Sequence, residues 1–115
     1  MPRQLFPAAL AAALYLAFAP RLAAYEEPSF DCDKAASSVE ITICSDSGLA
    51  VLDRRMAQLY SRARQSPYVD RGELLADQRR WWRLRESQCG RSRRAVECLV
   101  DMYQARIDEL RDMVD

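Results

Sequence analysis

Four cysteines and a complete lack of histidine set the chemistry open to this sequence. Cys32, Cys44, Cys89 and Cys98 form two local pairs separated by a long interval. Thiolate catalysis calls for a neighbouring imidazole or an electropositive niche, and the imidazole is missing. A zinc site built from all four thiolates wants close Cys-x-x-Cys knuckles, which neither pair provides, so no metal is expected. Disulfides are the remaining reading. Four cysteines allow three connectivities. The expected one joins Cys32 to Cys44 and Cys89 to Cys98, because each bridge then closes a short loop across a helix end.

The charges narrow the field further. There are 17 basic and 17 acidic residues, and 16 of the 17 cations are arginine, with Lys34 the single lysine. Schiff-base chemistry is therefore not expected. The carboxylates are scattered over helical segments, with no histidine and no glycine-rich phosphate loop, so a small hydrolase is not expected either. Nothing calls for a cofactor. Near-neutral charge also argues against nucleic acid as a partner.

Three charged residues lie on or beside apolar helical faces: Asp53 next to Leu52 and Met56, Arg85 one turn beyond Trp81 and Trp82, and Arg106 three after Tyr103. With Glu40 they make two potential acid-to-arginine pairs, a role that suits arginine because its planar fork takes a carboxylate while its stem packs on a ring. Glu40, Asp53, Arg85 and Arg106 are thus expected to form a structural polar network that fixes helix register. Adjacent helical positions differ by about 100°, so Trp81 and Trp82 cannot both be central, and Trp81 is the expected core residue.

The elements that must position these groups are helical. Ser37 with Glu40 three later is a capping-box signature, and a short helix is expected to end at Ser45 before the breaker Asp46-Ser47-Gly48. From Leu49 the apolar positions 49, 52, 56, 59, 60 and 63 trace one helical face, interrupted by Ser66-Pro67-Tyr68. Asp70 with Glu73 caps a third helix from Arg71 to Cys89, with Leu74, Leu75, Gln78, Trp81, Trp82, Arg85 and Cys89 on one broad face and Gly90 as the stop. A last helix from about Arg93 to Val114 carries Val96, Leu99, Val100, Tyr103, Ile107, Leu110 and Val114. No segment alternates with period two. The fold class expected is all-α, a small bundle of three main helices plus a short N-terminal one, clipped by two local disulfides.

Residues 1–24 read as a signal peptide. Arg3 precedes the apolar run Leu5 to Ala19, followed by Pro20, Arg21 and the small-residue end Leu22-Ala23-Ala24. A helix of that run reaches roughly 22 Å, short of the ~30 Å hydrocarbon core, so no stable membrane span is expected after cleavage. Cleavage after Ala24 starts the mature chain at Tyr25, in the periplasm or outside the cell, and no cysteine stands there for lipid attachment. Losing Arg3 and Arg21 leaves 15 cations against 17 anions. Residues 25–36 form an extended polar lead-in, and residues 37–115 the helical domain. A domain this small needs staples, which an oxidising compartment permits.

The ordered residues resemble the N-terminal domain of the LprI-type lysozyme inhibitors. The likeness runs through Asp31-Cys32, Glu40, Ile43-Cys44, Leu49, Leu52-Asp53 and Tyr60, and continues with Gln78-Arg79, Trp81, Arg85, Cys89, Cys98-Leu99, Tyr103, Arg106 and Leu110. Glu86 stands where the family usually has Asp, and the loop between the last two cysteines is unusually basic. The resemblance implies an exported, non-enzymatic module that blocks the glycan-binding cleft of a lysozyme-type muramidase. Such a cleft holds two carboxylates. The partner-binding residues expected are Arg91, Ser92, Arg93 and Arg94, held in the Cys89–Cys98 ring, with the acids Glu26, Glu27, Asp31 and Asp33 as an attracting surface for a basic enzyme. The alternative is a non-inhibitory adaptor domain that binds another envelope protein.

Overall fold

A computed structural model describes residues 26–115. The signal peptide expected at residues 1–24, with its cleavage before Tyr25, lies outside the described residues. Among those described there is no strand. A 3₁₀ turn at Cys32–Lys34 is followed by α1 (Ser38–Ser45), α2 (Ser47–Gln65), α3 (Arg71–Cys89) and α4 (Ala95–Val114). The all-α bundle and both local disulfides are as expected: Cys32 joins Cys44 and Cys89 joins Cys98, with Cα–Cα separations of 5.8 and 5.6 Å.

Three of the four helix starts follow from side-chain caps. Ser37 and Glu40 form a complete capping box on α1, with Ser37 Oγ accepting from the Glu40 N–H at 3.0 Å and Glu40 Oε1 accepting from the Ser37 N–H at 3.1 Å. Asp70 accepts from the Glu73 N–H at 3.0 Å and starts α3. The segment Asp46-Ser47-Gly48 is a one-residue joint rather than a loop. Asp46 closes α1 through its N–H to the Ile43 carbonyl, and its side chain accepts from the Leu49 N–H at 3.0 Å, so α2 starts two residues before Leu49. At the other end α4 begins at Ala95 instead of Arg93, because Ser92 Oγ accepts from the Arg94 N–H and holds that residue outside the helix. The lead-in bends at Ser29-Phe30 and then makes its 3₁₀ turn, capped by Asp31.

α2 and α4 form the most extensive helix pair, α3 packs mainly on α4, and α1 closes the end by touching the other three. Val39 and Ile43 of α1, Leu49, Met56 and Ala63 of α2, Leu74 and Trp81 of α3, and Leu99, Tyr103, Ile107 and Leu110 of α4 make one continuous core. Trp81 is buried and Trp82 is 41% exposed, the split that the 100° step requires. Leu75 and Val96 were placed on inward faces by periodicity, yet both face solvent. Each stands at the margin of its stripe, where no neighbouring helix covers it.

Candidate functional site

At the centre of the bundle a chain of hydrogen bonds links all four helices. Asp53 on α2 is buried, with 1% of its surface exposed. Its Oδ1 accepts from the Tyr103 hydroxyl of α4 at 2.7 Å, and its Oδ2 accepts from both the backbone N–H and the hydroxyl of Ser29 at 2.6 Å. The Tyr103 oxygen in turn accepts from Arg85 Nη1 of α3 at 2.9 Å. Arg85 Nη2 donates to Glu86 at 3.0 Å, and Glu86 accepts from Ser37 at the cap of α1 at 3.3 Å. Trp81 meets the Tyr103 ring edge-on at 4.9 Å and lies under the Arg85 guanidinium at 5.8 Å. The aromatic pair thereby packs against the central Arg85–Tyr103 part of the polar chain.

The electrostatics follow from that geometry. Burial, then the adjacent Asp53 carboxylate, pushes the Tyr103 hydroxyl far above the ordinary tyrosine value, so it remains protonated and can donate. Burial opposes the Arg85 charge, but Tyr103 and then Glu86 more than offset it and raise its pKa. Glu40 is held below the usual glutamate range, chiefly by the Ser37 backbone N–H, with burial working against it.

The direct acid-to-arginine pairs expected from sequence are replaced by relays. Asp53 and Arg85 communicate through the Tyr103 hydroxyl, because α2 and α3 stand on opposite sides of the tyrosine. Glu40 is engaged by the cap of its own helix, and Arg85 acts on it only as a nearby charge. Arg106 donates from Nε to Gln78 at 3.0 Å and from Nη1 to Glu109 at 2.9 Å, while Gln78 passes a further bond to the Met56 sulfur. Sequence reasoning missed Ser29, which carries no local signal, and the linking role of Tyr103, which read simply as an apolar-stripe residue. Gln78 on an apolar face was the visible sign of a buried amide.

The Cys89–Cys98 ring forms a second cluster. Ser38 Oγ of α1 donates to the Gly90 carbonyl at 2.9 Å, and the Ser92 N–H donates to the Cys89 carbonyl at 3.2 Å. Gly90 must be glycine, because a Cβ there collides with the Glu86 carbonyl. Arg91, Arg93 and Arg94 are all exposed, and Arg94 stands 3.8 Å from Glu97. Ser92 is half-buried. In the lead-in the acids Glu27, Asp31 and Asp33 line a cavity of about 520 Å³ with Pro28, Ser29 and Phe30. Glu26 pairs with Arg54.

With this architecture in place, the sequence model described as "Lysozyme inhibitor LprI" matches residues 32–110. The chain belongs to that family. The match takes in all four cysteines and the whole Asp53–Tyr103–Arg85 relay. Among curated relatives it is similar to "Lipoprotein LprI" of Mycobacterium tuberculosis (strain ATCC 25618 / H37Rv) and of Mycobacterium bovis, each 32% identical over 82 residues. Those residues are 71% of this chain and 40% of either relative, so the chain spans less than half the length of the curated relatives it matches. No solved structure matches it. The LprI family is described by inhibition and not by a reaction. Among the described residues no group of His, Cys, Asp and Glu is placed to hold a metal ion, and no helix is long and apolar enough to cross a membrane.

Proposed function

We propose that this protein is an exported inhibitor of lysozyme-type muramidases, and that its Cys89–Cys98 ring enters the enzyme's glycan-binding cleft. Membership of a family described as lysozyme inhibitors supports the activity. The observation that carries the mechanism is the anchored ring itself: a disulfide, a serine from α1 and an internal Ser92 bond fix its base, while Arg91 and Arg93 have no ion-pair partner among the described residues. A ring already held in shape loses little entropy on docking. Glycan hydrolysis by such enzymes depends on two carboxylates in an open cleft. Guanidinium groups are suited to bind carboxylates by charge-assisted, two-point hydrogen bonds, and doing so both fills the cleft and removes the charges that catalysis needs. Acids of the lead-in supply long-range attraction to a basic enzyme body. Two disulfides and an N-terminal charged, apolar, small-residue segment favour the periplasm or the exterior as the compartment, with no role as an enzyme and no cofactor.

The experiment is a muramidase turnover assay with the purified oxidised protein. Stoichiometric loss of turnover is expected. Unchanged turnover across lysozyme types, at protein concentrations far above enzyme, sinks the reading.

A further inference from the structure

A different face of α3 carries exposed apolar and basic residues that the relay does not use, and only Arg91 beside it also belongs to the proposed inhibitory ring. Leu75 and Trp82 are seven residues apart and so lie on one line along the helix, and they are 38% and 41% exposed. Arg79 stands between them and Arg83 one turn further on, both exposed and both without an ion-pair partner among the described residues. Arg83 continues into an open groove of about 560 Å³ that it lines with Glu86, Ser87 and Arg91. Glu86 is already engaged by Arg85 and Ser37, so the free charge of the groove is positive.

We propose that this face docks on an anionic phospholipid bilayer, with phosphates held by Arg79, Arg83 and Arg91 and with Trp82 and Leu75 at the boundary of the acyl chains. A thin apolar line bordered by guanidinium groups matches the layering of a bilayer surface, where phosphate overlies hydrocarbon, and tryptophan favours that boundary. Charge complementarity sets the lipid class, since neutral headgroups offer the arginines nothing. The contact is peripheral and reversible, because two apolar side chains bury little area. It orients the molecule with α3 against the surface.

Trp81 and Trp82 are the two tryptophans of the whole chain, and Trp81 is buried, so indole emission reports on this face directly. Titration of the oxidised protein with phosphatidylglycerol vesicles is expected to shift the emission to the blue, and phosphatidylcholine vesicles to leave it in place. Trp82→Phe is expected to abolish the shift. Arg79→Ala with Arg83→Ala keeps the reporter and is expected to weaken partitioning about fivefold per arginine. The proposal is overturned if anionic vesicles produce no shift, if neutral vesicles produce the same one, if soluble polyphosphate reproduces it, or if the double arginine variant partitions like the parent. Far-ultraviolet circular dichroism of each variant confirms that the helices persist. Since none of these substitutions touches the Cys89–Cys98 ring, the vesicle result stands independently of the muramidase assay.

Discussion

Arg85 and Asp53 meet on opposite sides of one phenol oxygen, 2.9 Å from the guanidinium and 2.7 Å from the carboxylate. Neither charge touches the other, yet each depends on the Tyr103 hydroxyl being present and protonated. The hydroxyl accepts from one neighbour and donates to the other, so a single oxygen couples α2, α3 and α4.

Removing that oxygen should therefore cost more than an ordinary hydrogen bond. Tyr103→Phe keeps the ring and its edge contact with Trp81 but strands one lone pair of Asp53 and one donor of Arg85. A loss of about 1.5 to 3 kcal/mol is expected, read by urea unfolding with an unchanged slope. A double-mutant cycle between Asp53→Asn and Arg85→Met should show coupling with tyrosine at 103 and lose it with phenylalanine. Equal coupling in both backgrounds rejects the relay.

Arg85→Ala should be harsher. It removes the buried cation, leaves the tyrosine oxygen without its donor and leaves Glu86 with Ser37 alone, a loss of about 3 to 5 kcal/mol. Thermal unfolding at fixed pH measures it, and a variant within about 0.5 kcal/mol of the parent contradicts burial of the network.

The shifts of Glu40 and Tyr103 give stability opposite slopes at the two ends of the pH scale. The folded Glu40 pKa is lowered, so its contribution is full above the ordinary glutamate range and is lost as pH falls through the folded value. Glu40→Gln should flatten the acid limb of the stability curve. The folded Tyr103 pKa is raised, so its contribution is full below about pH 10, the ordinary tyrosine value, and fades as pH climbs beyond it. Phenolate absorbance should show Tyr103 titrating only as the chain unfolds, a late step that Tyr103→Phe removes.

The ring and the scaffold can be tested separately. Replacing Arg91, Arg93 and Arg94 by Ala should raise the inhibition constant roughly tenfold or more, since even one charge-assisted contact contributes about 1.5 to 3 kcal/mol. Circular dichroism should remain that of the parent. If the triple variant inhibits undiminished, the acidic lead-in becomes the surface to mutate next.

Opening either disulfide should destabilise the domain by about 3 kcal/mol on the chain-entropy estimate, the loops spanning 12 and 9 residues of sequence. Paired Cys→Ser variants, compared by urea unfolding with the parent under oxidising conditions, measure each bridge alone.

The helices were legible because their signals are local. The Ser37 capping box, the Asp70 cap, the three-and-four spacing from Leu49 to Ala63, and glycine after Cys89 act within one or two turns. The disulfides were legible because each pairs near neighbours. What escaped were contacts set by three-dimensional packing. The Arg85 side chain reaches Asp53 through a residue 18 positions further on, and Ser29 finds Asp53 across 24 residues. Periodicity identifies an inward face but not which polar atom waits opposite. It also assumes that every face has a neighbour, and so it placed Leu75 and Val96 inside. Asp46 shows the reverse case, a breaker whose side chain starts the next helix.

Ser29 fixes where a trimmed version of this protein can safely begin. The family match starts at residue 32, and a recombinant fragment cut to that boundary keeps every matched position. It nevertheless discards the N–H and hydroxyl that both bind Asp53 Oδ2. Asp53 Oδ2 would then lose both of its protein donors. The boundary by which the family is recognised and the boundary that keeps Asp53 solvated by protein thus differ by a few residues, and expression fragments should respect the second.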